Sequence, residues 1–331
     1  MKIEKVNLID AGSQIGEPID VFICASSFED RCCALANTLN PKLIGRTFVF
    51  KAVNLEDYVG KSAGYLIQRF QPNSEIVEVN TDDPLFGGDN MIKALSDLLG
   101  KSEGLRFLID VTTFTHETLL IMLRLLKLYV TKDSSNKFLF AYTSAAEYSV
   151  GDLVESKWLS KGVKDVRTVL GYPGDNLPTR KTHLIILVGY EFERASKLIE
   201  TLEPNSVSLG YGRSGSTAIT EKNQNANEHF LRLVERVASS YASVSSFEIM
   251  CNNPLETKDV ILKVARKAKA AKFNVVLAPM NNKMTTIGAA LAVFACEDIQ
   301  ICYAPVLQYN VAGYSKSGTT CYLIDLPEIF E

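Results

Sequence analysis

One stretch of this chain is written twice. Ile23–Pro41 (ICASSFEDRCCALANTLNP) aligns without a gap to Ile186–Pro204 (ILVGYEFERASKLIETLEP), and Ile23/Ile186, Arg31/Arg194, Leu35/Leu198, Thr38/Thr201, Leu39/Leu202 and Pro41/Pro204 coincide. In each copy a short apolar run, suited to a buried strand, gives way to a helical stripe. The stripe is Cys32, Leu35, Ala36 and Leu39 in the first and Ala195, Leu198, Ile199 and Leu202 in the second, spaced i, i+3, i+4, i+7. Further on, FLIDVTTFTHETLLIML (107–123) has its counterpart in VVLAPMNNKMTTIGAAL (275–291), and Phe138–Tyr142 matches Ile301–Pro305. Segments recurring in one order point to duplication of a single unit, so the two halves should share a fold.

That unit alternates strand and helix. Val21–Ala25, residues near 46–53 and 75–79, Arg106–Asp110 and Lys137–Tyr142 read as strands, with helices near 90–99 and 116–129 between them. The alternation predicts an α/β protein made of two tandem Rossmann-like units, mostly parallel sheets covered by helices, paired as a pseudo-dimer. A chain of 331 residues is long enough for two such domains. The stretch Gly171-Tyr172-Pro173-Gly174-Asp175-Asn176-Leu177-Pro178 marks a boundary. The expected division is 1–150 as the first unit, 151–180 as a linker and 181–331 as the second.

Composition excludes several classes. With 47% hydrophobic and 22% charged residues the chain is neither disordered nor a disulfide scaffold. Its 35 basic and 38 acidic residues argue against a dedicated duplex nucleic-acid binder. No apolar run reaches the length of a membrane span, and the start, Met1–Asn7, lacks the apolar core of a signal peptide. Seven cysteines form no C-x-x-C pair, and the three histidines are far apart. A reduced, cytoplasmic protein without membrane contact, structural metal or cofactor is expected.

In open parallel sheets, ligands sit beyond the carboxyl ends of the strands, where strand order reverses. The loops after the first and fourth strands of each half therefore hold the candidates. Ser26, Ser27 and Arg31 stand at a strand-to-helix turn, where helix N–H groups and a planar guanidinium suit an anion. The competing reading has Ser27 as a cap and Arg31 paired to Glu29 or Asp30 on the surface. Asp110-Val111-Thr112-Thr113-Phe114-Thr115-His116 ends the fourth strand. Asp110, Thr113 and Thr115 suit ribose or phosphate, or are ordinary turn and cap residues. Asp110 and His116 are also the candidate catalytic bases, although a lone first-turn histidine is more often merely solvated. In the second half the counterparts are Tyr190, Arg194, Asn281 and Lys283, with Lys283 aligned to Thr115. Tyr190 either stacks on a base or packs between the halves.

Other motifs fall short. Gly60-Lys61-Ser62-Ala63-Gly64 fits G-x-S-x-G by letter but does not follow a strand directly, so it reads as chance. The Gly-rich runs Leu209–Ser216 and Ala312–Gly318 match no phosphate-loop fingerprint and read as surface loops. Adjacent Cys32 and Cys33 read as buried or half-buried thiols more readily than as a redox pair.

The Thr-rich turn that opens a helix after Asp110 resembles the ligand loop of CARF domains, Rossmann-like sensors of cyclic oligonucleotides in prokaryotic antiviral defence. The duplicated layout is similar to the related SAVED domains, which fuse two such units. The likeness covers topology over most of the chain and motifs near 21–31, 107–118, 186–194 and 276–286. Thr112-Thr113-Phe114-Thr115 lacks the Gly-Gly and Lys usual in the CARF loop. The resemblance implies a nucleotide or cyclic-nucleotide ligand touching Thr113, Thr115 and, by internal symmetry, Lys283, with the effector on a separate chain. The expected function is a nucleotide-binding sensor or adaptor holding its ligand in a cleft between the halves. The alternatives are a nucleotide- or nucleoside-processing hydrolase on the same site, or a structural subunit of a defence complex.

Overall fold

The computed structural model describes residues 2–16, 18–101, 103–130, 134–148, 158–189, 191–213, 233–235, 237–239, 241 and 244–327. The chain divides into two compact units, Met1–Tyr148 with Ser315–Glu331, and Ser149–Tyr314. Along the first run β1 (Lys2–Asn7), α1 (Ala11–Ile15), β2 (Ile19–Ala25), α2 (Arg31–Thr38), β3 (Ile44–Ala52), α3 (Glu56–Arg69) and β4 (Ser74–Val79). Then come α4 (Pro84–Lys101), β5 (Arg106–Asp110), α5 (His116–Tyr129) and β6 (Lys137–Tyr148). The second unit holds β7 (Ser160–Val163), β8 (Arg167–Thr168), β9 (Thr182–Leu187), α6 (Phe192–Leu202), β10 (Ser206–Gly212) and β11 (Val244–Ile249). It continues through α7 (Pro254–Ala270), β12 (Asn274–Pro279), α8 (Lys283–Ala295), β13 (Ile299–Tyr303) and β14 (Val306–Tyr309), and the chain then forms β15 (Ser315–Asp325).

The first sheet runs β1-β15-β6-β5-β2-β3-β4 and the second β11-β10-β9-β12-β13-β8. In both, the first five strands of the repeated unit are parallel and lie in the order 3-2-1-4-5, the doubly wound arrangement. The α/β, Rossmann-like architecture read from the sequence is present twice. The central strands are nearly continuous apolar runs because helices cover both faces. Phe22, Cys24, Leu35, Ala36, Leu66 and Leu108 share one core, and Leu184, Ile186, Ala195, Leu198, Val207 and Leu209 another. Each buried Phe, Leu, Ile or Val among them contributes about 1.5–3 kcal/mol by leaving water, and the alanines less.

Two segments lie elsewhere than composition suggests. The polar run at 151–180 carries β7 and β8, which pair with β14 and β13. The C-terminal strand β15 pairs antiparallel with β6 and β1 in the first sheet rather than joining the second. In both units the edge beyond the fifth parallel strand is thereby covered, which removes a row of unpaired backbone groups. The Gly-rich run at 209 also proves more regular than a loop, since Leu209–Gly212 finish β10, while Ser214–Ser216 lie outside the described residues. Likewise Ser315–Gly318, read as a turn, already belong to β15.

A polar thread crosses the second sheet. His183 Nδ1 is 3.0 Å from Ser206 Oγ, its Nε2 is 3.0 Å from Ser208 Oγ, and Ser208 Oγ is 2.7 Å from Ser245 Oγ. Burial disfavours the imidazolium and holds the His183 pKa down at about 4.

Candidate functional site

At the switch point of the first sheet the loops leaving β2 and β5 diverge. Thr113 ties them together, its Oγ1 donating to the Ala25 carbonyl at 2.8 Å. Ser26 is buried and turns inward, Oγ donating to Phe50 O at 3.1 Å. Ser27 Oγ accepts from Glu29 N at 3.2 Å, so it closes a local turn, and no side chain caps α2. Ser62 lies inside α3, which confirms the chance nature of its G-x-S-x-G match. Its hydroxyl donates to Ser27 O at 2.7 Å and accepts from Ser27 N at 3.1 Å. Thr115 is the N-cap of α5 and accepts from Thr118 N at 3.1 Å. His116, the first residue of α5, is buried rather than solvated.

Asp110 ends β5 with 2% of its surface exposed. Oδ1 accepts from Thr112 N at 3.0 Å and from the Thr112 hydroxyl, while Oδ2 has no hydrogen-bond partner. Burial pushes its pKa up to about 6, against the bonds from Thr112 and the charge of Arg31, which pull it down. Cys32 and Cys33 stand in the first turn of α2 with sulfurs 3.5 Å apart.

Arg31 does pair with Glu29, but inside the protein and not on its surface; the two side chains are 4% and 9% exposed. Its Nη2 and Nε reach Glu29 Oε2 at 2.6 and 3.1 Å, Nε also reaches Ser315 Oγ at 3.2 Å, and Nη1 donates to Thr143 O at 3.1 Å. The guanidinium lies 5.4 Å from the centre of the Tyr148 ring, and the Ser315 hydroxyl donates to Glu29.

The second unit repeats this cluster. Arg194 pairs with Glu191, both nearly buried, and its Nε donates to Ala304 O at 2.9 Å. It lies 5.1 Å from the Tyr303 ring centre, and the Ser160 hydroxyl donates to Glu191. The accepting carbonyl follows Tyr142 in one unit and Tyr303 in the other, and a second tyrosine stands six residues on in each, Tyr148 and Tyr309. One difference is chemical. Every guanidinium nitrogen of Arg31 is bonded, whereas Arg194 Nη2 is buried with no partner.

The loop tie is repeated too. Asn281 Nδ2 donates to Val188 O at 2.7 Å, and Val188 is the residue that the ungapped repeat aligns with Ala25. Gly189 runs so close to this loop that a β-carbon there would sit 2.2 Å from Met280 O; glycine is required. Asn282 caps α8 with a reciprocal capping box. Since Thr115 and Asn282 are the two caps, Lys283 corresponds to His116 and not to Thr115, because the second loop is the shorter. Tyr190 lies outside the described residues.

Sequence reasoning did not bring Tyr142, Tyr148, Tyr303, Tyr309, Ser160 or Ser315 to the site. The available signals were the repeated six-residue tyrosine spacing and the dipeptide Ser-Lys at 160–161 and 315–316.

No family model matches this chain, and no curated protein matches it. Among solved structures, a crystal structure of spermidine synthase in complex with the transition-state analogue AdoDATO is similar at 17% identity with a TM-score of 0.22. That match covers 41% of this chain and 40% of the other, too partial a likeness to carry an argument. Among the described residues no helix is long and apolar enough to cross a membrane.

Proposed function

We propose that this chain is a nucleotide-binding sensor or adaptor whose ligand lies over the switch-point loops at the carboxyl ends of the parallel strands. The observation that carries this reading is the site built twice: the same side-chain tie between the same two loops, Thr113 to Ala25 and Asn281 to Val188. A binding role needs preorganised donors, and these loops are held rigidly beside the amino ends of α5 and α8, where anions are favoured. Arg194, with Nη2 to spare, and Lys283 in the first turn of α8 are the cations assigned to phosphate. Arg31 holds the loop after β2 through Glu29. The likeness of the Asp110–His116 loop to CARF domains supports a cyclic or linear oligonucleotide as ligand, a role in prokaryotic antiviral defence and a separate effector chain.

Asp110 favours a second reading. A buried carboxyl with one unbonded oxygen and a pKa near 6 is the kind of group that serves as a general acid or base, as a nucleotide-processing hydrolase would require.

A thermal-shift screen with linear and cyclic nucleotides, each sample then chromatographed for products, separates the two. A ligand at 100 times its Kd adds about 2.7 kcal/mol to the native state, so a true ligand is visible. A shift with intact ligand, reduced in Arg194→Lys and Lys283→Ala, is the expected result. Products instead of ligand, abolished by Asp110→Asn, would establish the hydrolase. No shift with any nucleotide would refute both.

A further inference from the structure

We infer that the chain consists of two copies of one repeat that exchange their last strands, so that each copy completes the other's sheet. The first copy runs from β2 through β8 and the second from β9 through β15. Each ends its parallel strands with an open edge, β6 in one and β13–β14 in the other. The strand that follows β6 in the chain, β7–β8, pairs with β14 and β13. The strand that follows β14, which is β15, pairs with β6. Neither copy keeps its own terminal strand.

Three features make the exchange reciprocal and not two unrelated edge pairings. The register is the same: Ser315 and Tyr322 stand opposite Tyr148 and Tyr142, and Ser160 and Arg167 stand opposite Tyr309 and Tyr303. Seven steps along the donated segment therefore face six along the receiving one in both units, through β15 on β6 in the first and through the separate pairings β7–β14 and β8–β13 in the second. The donated strands also open on the same dipeptide, Ser160-Lys161 and Ser315-Lys316. Each delivers that serine to the same acceptor, the glutamate paired with the buried arginine: Ser160 to Glu191 and Ser315 to Glu29.

The physical logic is that of an open sheet edge, which accepts any strand of matching register and side-chain pattern. Identical repeats can satisfy one another's edges as well as their own. The surface formed by β6, and again by β13–β14, is thus a docking edge whose fitting partner is the terminal strand of a second copy of the repeat. Each Arg–Glu–Tyr cluster is composite, its serine coming from the other copy.

The test uses the full chain with a protease site inserted between Pro178 and Thr179, in an exposed stretch at the boundary of the copies. Cleavage separates β1–β8 from β9–β15. The expected result is that the pieces run together at the parent mass in size-exclusion chromatography and part only in denaturant. Two single substitutions report the pairing itself. Thr168→Cys faces native Cys302, and Thr143→Cys faces native Cys321. After cleavage and mild oxidation, each should join the two pieces on a non-reducing gel. Thr143 is buried and Thr168 is exposed, so the Thr168→Cys staple to Cys302 remains if the Thr143→Cys variant does not fold. Pieces that elute apart without denaturant, or a folded Thr168→Cys protein whose pieces stay unlinked, would overturn the exchange.

Discussion

The acid that holds each buried arginine does not occupy the same place in the two repeats. Glu29 precedes Arg31 by two positions and Glu191 precedes Arg194 by three, yet both carboxylates meet the guanidinium at the same turn. The geometry is retained while the letter moves, which is why the ungapped alignment shows the arginines and hides their partners. Removing one charge strands the other: Arg31→Ala should cost about 3–5 kcal/mol by leaving Glu29 buried alone, whereas Arg31→Met with Glu29→Met should cost far less. Urea unfolding of the single and double variants checks this. Asp110 makes a second prediction. Its folded pKa, about 6, lies above the ordinary 3.8, so its ionisation opposes folding increasingly as pH rises between those values. Asp110→Asn should therefore gain about 2–3 kcal/mol on the parent between pH 4 and pH 7, read from denaturant midpoints at the two pH values.

Strands and helices were the legible part of this chain. The helix over His116–Tyr129 follows from its periodicity, the five parallel strands of the first half from apolar runs with polar turns, and β9, β12 and β13 from their repetition, whereas β11 (VSSFEI) carries no apolar run that marks it. What escaped was the antiparallel padding at β7 and β8 and the end of β6; the later part of β15, Cys321–Asp325, reads as a strand. β7 and β8 are short and half exposed, in a stretch rich in Lys, Gly and Asp, so neither alternation nor apolar content marks them as strands. β6 reaches Tyr148 through Thr143-Ser144-Ala145-Ala146-Glu147, where pairing with β15 continues the strand beyond its apolar run. The site suffered likewise: loops at the switch point could be named from topology, but the tyrosines and serines that complete them come from strands distant in sequence. Within the second sheet, the strand-to-strand thread through His183 carries its own prediction. An imidazole held near pKa 4 against an ordinary 6.5 resists the proton that the unfolded chain takes up. Stability is then lost as pH falls from about 6.5 to about 4, by about 3 kcal/mol. His183→Gln should flatten that slope in acid-unfolding curves.

For the molecule as a whole, the decisive fact is that the first sheet is closed by β15. Truncation before Ser315 removes the neighbour of both β1 and β6, together with the serine on Glu29. The expected outcome is selective loss of the first unit, seen as protease cutting within 1–148 while peptides of the second unit stay protected. A truncated chain whose first unit resists protease would contradict this. Synthesis gives the same fact another meaning. The first unit leaves the ribosome early but waits, with one edge bare, until the whole second unit has been made. A nascent chain that stops anywhere in between has no closed first sheet, so the synthesis of β15 is itself registered in the fold.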